Sequence, residues 1–224
     1  MIGIIIAMKS EFIFNKEMKS KIILKKNNNQ DFFIYDNKIV FTYSGIGKVN
    51  SAIASQNLIT NFKLKKIINI GTAGALSKVL RVNDLVFCEK FFSYDVDLTA
   101  FNYKIGQIPK EKDNFFSFEK SKAFLKMINE NFEIKNGNVA SGDSFITNKN
   151  YVNYLMFKKE KIDVIDMESW SVANVCNKNK IDFISFKVIS DLINKPSSED
   201  QFKINHVLNR KKISNLIKLI IKSN

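Results

Sequence analysis

Two cysteines, Cys88 and Cys176, are the only thiols in 224 residues, far apart and without a C-x-x-C spacing. That argues against a disulfide framework or a thiolate metal site, and it fits a reducing cytosol. Histidine occurs once, as His206 in a lysine-rich stretch near the C-terminus. Histidine-based triads and histidine metal cages are therefore set aside, and acid–base chemistry must fall on carboxylates. No apolar run approaches the length of a membrane span. The N-terminal run stops at Met8, ahead of Lys9 and Glu11, too short for the apolar region of a signal peptide. Arginine is almost absent too. Arg81 and Arg210 are the only two, although the net charge is +13. Nucleic-acid readers favour arginine forks and a compact basic face, whereas these lysines are spread along the chain beside many Asn, Ile and Phe. Such a mixture is what drift toward A/T-rich codons would produce. A lysine-rich nucleic-acid-, polyanion- or glycan-binding protein remains the non-enzyme alternative.

Strand-like and helix-like segments alternate, which predicts an α/β domain, with no repeat, linker or second unit over residues 1–224. Met1–Ala7 reads as a buried strand and about Lys9–Lys19 as a helix, with Glu11 in its first turn. Ile22–Leu24, Phe32–Tyr35 and Ile39–Tyr43 read as antiparallel strands around turns at Asn27–Gln30 and Asp36-Asn37. Ser44-Gly-Ile-Gly-Lys48 opens a helix through Leu58. It is no P-loop, because Val49 stands where the Mg²⁺-binding hydroxyl belongs and the upstream glycine is missing. Lys66–Ile70 is a strand, and the following Gly71-Thr-Ala-Gly74 is either an anion nest or a plain tight turn. Val86–Val96 is extended, residues 99–109 form an aromatic loop, and a helix near Phe118–Asn131 precedes a strand near Gly137–Ala140. Asn194–Asp200 is a polar loop. The last helix carries Ile204, Val207, Leu208, Ile213, Leu216, Ile217 and Ile220 on one apolar face.

Chemistry concentrates at two strand ends. Ile162-Asp-Val-Ile-Asp-Met-Glu-Ser-Trp-Ser171 changes from strand to helix at Asp166, Met167 and Glu168, and Phe183–Asp191 also finishes on an acid. Carboxyl ends of strands are where open α/β sheets bind ligands. The plainer reading makes Asp166 a helix cap and Glu168 a solvated first-turn acid.

Taken together, the motifs resemble one family. Ile4-Ile-Ile-Ala-Met8 with Glu11, Ser44-Gly-Ile-Gly-Lys-Val49, Asn69-Ile-Gly-Thr-Ala-Gly74 and Asp97-Leu-Thr-Ala-Phe101 come first. Gly106-Gln-Ile-Pro109, Ser141-Gly-Asp-Ser-Phe-Ile146, Asp166-Met-Glu168 and Ile189-Ser-Asp191 follow. In order and spacing they are similar to the 5′-methylthioadenosine/S-adenosylhomocysteine nucleosidases of the purine nucleoside phosphorylase-like superfamily. The resemblance implies a three-layer α/β domain whose central mixed sheet is partly barrel-like and flanked by helices. It implies hydrolysis of the N-ribosidic bond of adenine nucleosides in the cytoplasm, with no cofactor, no metal and a homodimeric assembly. Asp191 takes the part of catalytic acid, Glu168 binds the ribose hydroxyls, and Glu11 orients the attacking water. Phe145 stacks on adenine, Ile146 reads the base edge through its backbone, and Met8 and Met167 pack around sugar and water. Ile46, Thr72 and Ser190 belong to the same site, and Phe202 matches a lid phenylalanine. Leu98, Phe101 and Pro109 line the partner subunit's thioalkyl pocket. Two departures stand out. Lys187 replaces an arginine, which places a lysine beside Asp191 and Glu168, and Asp166 replaces a glutamate. A purine nucleoside phosphorylase is the rival enzyme, but Asn69 stands where that class carries a phosphate-binding arginine, and the anionic Glu11 suits water better than phosphate.

Overall fold

The computed structural model describes residues 1–27, 29–119, 121–147, 154, 156–193, 195 and 197–223. Asn28 of the predicted first turn and Asn194 and Pro196 of the predicted polar loop lie outside them. Strand β1 (Ile2–Ile6) pairs in parallel with β4 (Ile39–Tyr43) on one side and β5 (Lys66–Ala75) on the other. Its Ile4, Ile5 and Ile6 are buried, as a strand covered on both faces requires. Beyond β4 the sheet continues through β3 (Gln30–Tyr35) and β2 (Ile22–Asn27), both antiparallel as the alternation predicts.

The other flank of β5 curls. β5 pairs in parallel with β10 (Asp182–Leu192), then follow β6 (Leu85–Ser93), β8 (Ile134–Ser141) and β9 (Val164–Asp166), and β9 pairs back onto β5. These five strands close a barrel, and the short β7 (Phe115–Phe116) joins β6 from outside. The mixed, partly barrel-like sheet matches the expectation. β5 and β10, paired from Lys66 to Ala75, belong to both the barrel and the open sheet. Gly71-Thr-Ala-Gly74 is accordingly neither nest nor turn. It lies within β5, because β9 and β10 both continue the ladder there.

Helices cover both faces. α2 (Lys48–Asn61) and α5 (Ser169–Asn179) bury Leu58, Val172, Ala173 and Cys176 in one apolar cluster. α3 (Lys122–Asn129) and the long α6 (Ser198–Lys222) bury Ile128, Ile213, Leu216, Ile217 and Ile220 in another. Two short α-helices also occur among the described residues, α1 (Lys16–Ser20) and α4 (Met156–Lys159).

Two expectations fail here for packing reasons. The helix expected from Lys9 begins only at Lys16, where Asn15 caps it by accepting from Met18 N at 2.8 Å. Before it, Phe12 and Phe14 are buried while Ile13 is 55% exposed, a period of two that belongs to extended chain. Both rings join Phe41 in an aromatic cluster, with centroids 5.9 and 5.2 Å away. Likewise the apolar face predicted for α6 holds only over its second half. Ile204, Val207 and Leu208 are exposed, because the first half of α6 passes the barrel rim with Gln201 and Asn205 turned inward.

Candidate active site

A cavity of about 190 Å³ opens at one end of the barrel, where β5, β9 and β10 finish and the chain leaves β1. Glu11, Glu168 and Asp191 all line it, with Met8, Ile46, Thr72, Phe145, Ile146, Met167, Ser190 and Phe202. The predicted site residues of a single subunit thus converge, apart from Lys187.

Glu11 sits in a tight turn after β1, its N–H donating to the Met8 carbonyl at 3.1 Å. Its Oε2 accepts from Met8 N at 3.1 Å, and its Oε1 accepts from Thr72 N at 2.8 Å and Thr72 Oγ1 at 2.7 Å. The turn and β5 therefore hold one buried carboxylate between them. Gly71 makes the room, since a Cβ there would stand 3.2 Å from Glu11 Oε1 and 3.5 Å from Lys187 Nζ. Glu168 is no solvated first-turn acid. It is buried between β9 and α5, and its Oε1 accepts from Gly47 N at 2.9 Å. Gly47 can present that N–H because its φ of 96° suits glycine. Asp191 is 2% exposed, and Ser190 Oγ donates to its Oδ1 at 2.6 Å. A Cβ on Gly74 would meet Asp191 Oδ2 at 3.0 Å, so this glycine too gives way to a carboxylate.

The aromatic residues divide. Phe145 and Phe202 meet edge to face over the cavity, with centroids 5.8 Å apart at 77°. Leu98, Phe101 and Pro109 stand outside it, and Phe101, in the 3₁₀ turn Thr99–Phe101, is 72% exposed. No cluster of metal-ligating side chains occurs among the described residues.

The comparisons agree with this geometry. A family model described as the phosphorylase superfamily matches residues 2–222. A 5′-methylthioadenosine/S-adenosylhomocysteine nucleosidase of Bacillus cereus is 36% identical over 170 residues, 74% of each chain. The chain belongs to this nucleosidase family within the phosphorylase superfamily. Among solved structures, the Helicobacter pylori enzyme of the same name, complexed with butyl-thio-DADMe-Immucillin-A, superimposes with a TM-score of 0.88. It is 29% identical, and the match covers all of this chain and 98% of that one. Futalosine hydrolase of the same organism gives a TM-score of 0.85 at 28% identity, covering all of this chain and 97% of that one.

In this nucleosidase Lys187 acts on Glu168 through its charge, as expected, but not on Asp191. Its ammonium pairs with Asp166 Oδ2 at 2.8 Å, and both side chains are almost wholly buried. Asp191 faces Gly74, three ladder positions beyond the Gly71 that faces Lys187, roughly 10 Å further along the strand. Asp166 also accepts from Ser141 Oγ and Ser169 Oγ, each at 2.5 Å, and from Ser169 N at 3.1 Å. It caps the start of α5 while carrying an ion pair. Burial opposes its charge, but the Lys187 ammonium and these hydrogen bonds hold its carboxyl below the usual range.

The neighbouring acids go the other way. Burial, reinforced by the adjacent Asp166 charge, pushes Glu168 up to about 7 against the pull of Lys187 and Gly47 N. Burial likewise pushes Asp191 up to about 6, with Ser190 opposing and Glu199 adding.

The sequence reading also missed a tie between the Gly47 turn and the segment bearing Phe145. Lys48 N donates to Asp143 Oδ1 at 2.8 Å, Asp143 N donates to Asp95 Oδ2 at 3.1 Å, and the Lys48 ammonium pairs with Asp95. This tie holds the Gly47 turn against the segment bearing Phe145. A helix start of Gly-Lys beside an aspartate after Ser-Gly was the available signal.

Lys187→Met strands a buried carboxylate and is expected to cost about 3–5 kcal/mol in urea denaturation. Adding Asp166→Asn is expected to recover most of that loss. A double-mutant coupling near zero would show the two groups to be independent. Glu168 binds its proton more tightly folded than unfolded, so its contribution is fully present below the unfolded carboxyl range and is lost as pH rises through about 7. Glu168→Gln is therefore expected to raise the melting midpoint at pH 8 and to change it little at pH 4.5. A shift of equal size at both values would refute the assignment.

Proposed function

We propose that the nucleosidase hydrolyses the C1′–N9 bond of 5′-methylthioadenosine, S-adenosylhomocysteine and 5′-deoxyadenosine, releasing adenine and the corresponding thioribose or deoxyribose. It would thereby serve methionine salvage and the recycling of S-adenosylmethionine by-products. The observation that carries the mechanism is a buried acid with a raised pKa, Asp191, sharing one cavity with Glu11, Glu168 and the lysine-paired Asp166. Asp191 gives its proton to N7 of adenine, so that the base departs neutral as the C1′–N9 electron pair goes to nitrogen. Glu11, held by Met8 and Thr72, orients a water and takes its proton as the oxygen bonds to C1′. Glu168 accepts hydrogen bonds from the ribose hydroxyls and, in the form ionised as pH passes about 7, supports the positive charge that develops on the sugar. Phe145 stacks on the base under Phe202, Ile146 offers backbone groups to its edge, and Met8, Ile46 and Met167 pack on the sugar side. Thr72 acts mainly through Glu11, to which its hydroxyl is committed.

Water rather than phosphate is the nucleophile. No lysine or arginine occurs among the described lining residues, and the anionic Glu11 lines the cavity instead. Asn69 turns into the barrel, where its side chain bonds Ile5 O and Ser169 Oγ.

The reading includes a homodimer in the cytoplasm, built as one catalytic domain over residues 1–224. Val49 and Ile53 lie exposed one turn apart at the start of α2, Ile46 is exposed just before it and Phe101 is exposed as well, which supports an apolar contact there. Leu98, Phe101 and Pro109 would then close the thioalkyl end of the partner's cavity. Two free, buried cysteines fit a reducing compartment, and no helix among the described residues is long and apolar enough to cross a membrane.

Asp191→Asn and Glu11→Gln are each expected to abolish adenine release from methylthioadenosine in phosphate-free buffer, while a substrate analogue still binds to both. Strict dependence of the parent on phosphate would make it a phosphorylase. In sedimentation the active species is expected to be a dimer at micromolar concentration. Phe101→Ala is expected to raise KM for methylthioadenosine about tenfold. An active monomer with unchanged KM would remove the partner's pocket from the site.

A further inference from the structure

The pairing of β10 with β5 slips at the rim of the barrel. Ile189 lies opposite Ala73, but the next partner, Gly74, faces Asp191. Ser190 is the extra residue of a β-bulge, which re-aims the side chains around it and leaves its own backbone outside the ladder. The peptide groups on either side of Asp191 are taken up by one element, α6. The Asn205 amide donates to the Ser190 carbonyl at 3.1 Å, and the Leu192 N–H donates to the Gln201 side-chain oxygen at 3.2 Å. The same Asn205 amide donates to the Gln201 carbonyl at 2.8 Å, which locks the two clasps into one turn of helix. Phe202 belongs to that turn and lines the cavity against Phe145. Here α6 turns amides inward while Ile204, Val207 and Leu208 face solvent, the reverse of ordinary amphipathic burial. Hydrophobic packing does not explain that choice. Two bonds to a bulged strand end do.

We propose that Gln201 and Asn205 are positioning residues that hold Asp191 in line with the leaving base, so that the acid is placed only when the Phe202 turn is docked. The proposal rests on Asp191 as the proton donor. An error of about 1 Å in such a group can cost up to a hundredfold, and the loss of one clasp of two is expected to cost about tenfold.

Two substrates separate positioning from simple damage. Departure of adenine from methylthioadenosine needs a proton, whereas p-nitrophenolate leaves a 5-methylthioribofuranoside without one. Gln201→Met and Asn205→Leu are each expected to lower kcat on methylthioadenosine about tenfold at little-changed KM. On p-nitrophenyl 5-methylthioribofuranoside the loss is expected to stay under about twofold. The ratio of the two rates does not depend on how much of a variant is folded. Gln201→Glu keeps an acceptor for Leu192 N–H and is expected to keep the parent's ratio. Asp191→Asn, run alongside, is expected to show the same bias more strongly. If Asp191→Asn is biased and both clasp variants keep the parent's ratio, the proposal is overturned and the acid stands. Equal losses on both substrates would also overturn it, making the α6 clasps a matter of stability alone. If Asp191→Asn shows no bias, the acid assignment falls and the proposal with it.

Discussion

The ion pair between Lys187 and Asp166 is the interaction on which the site depends. Taking both charges out of water costs several kcal/mol, which only close contact and full hydrogen bonding can offset. The barrel meets that condition. Lys187 comes from β10, Asp166 from the end of β9, and the hydroxyls of Ser141 and Ser169 close around the carboxylate. Because Asp166 also caps α5, the pair fixes the turn that carries Met167 and Glu168. Gly71 leaves space beside both the Lys187 ammonium and Glu11, so the pair stands directly behind two of the three acids.

This arrangement gives carboxylates of one chemical kind different protonation. Asp166 stays ionised because a cation touches it. Glu168, two residues on, feels burial and the Asp166 charge more than it feels Lys187, and it keeps its proton toward neutrality. Asp191 lies on the far side of the cavity, outside the reach of the lysine, and burial dominates there. Environments that push neighbouring acids apart are how a site without histidine can both hold and release protons near pH 7. The scarcity of histidine and arginine in the chain is thus no obstacle to N-ribosidic chemistry.

Much of the fold was legible along the chain. The β-branched run of β1, the alternation of β2 to β4 and the strand-to-helix change at Asp166 are local signals, written in period and composition. The three acids were legible only through the family resemblance of the motifs that carry them, since by residue type alone Glu11 and Glu168 read as solvated first-turn acids. Where the reading failed, a long-range partner decided. Phe12 and Phe14 left a helical stretch because Phe41 offered an aromatic cluster across the sheet. Gly71–Gly74 stayed in a strand because β9 and β10 supplied ladder partners.

By itself the sequence determined the α/β class and, through the resemblance of its motifs, the family, because those depend on spacing and residue type along one chain. Tertiary structure alone decided which charges meet. Lys187 finds Asp166 rather than Asp191 because β10 and β9 flank β5 on its two sides in the closed barrel and Gly71 of β5 leaves the ammonium room, while Asp191 stands further along β10. The same holds for the bulge at Ser190 and the α6 amides that meet it, since register between strands leaves no mark on either strand alone.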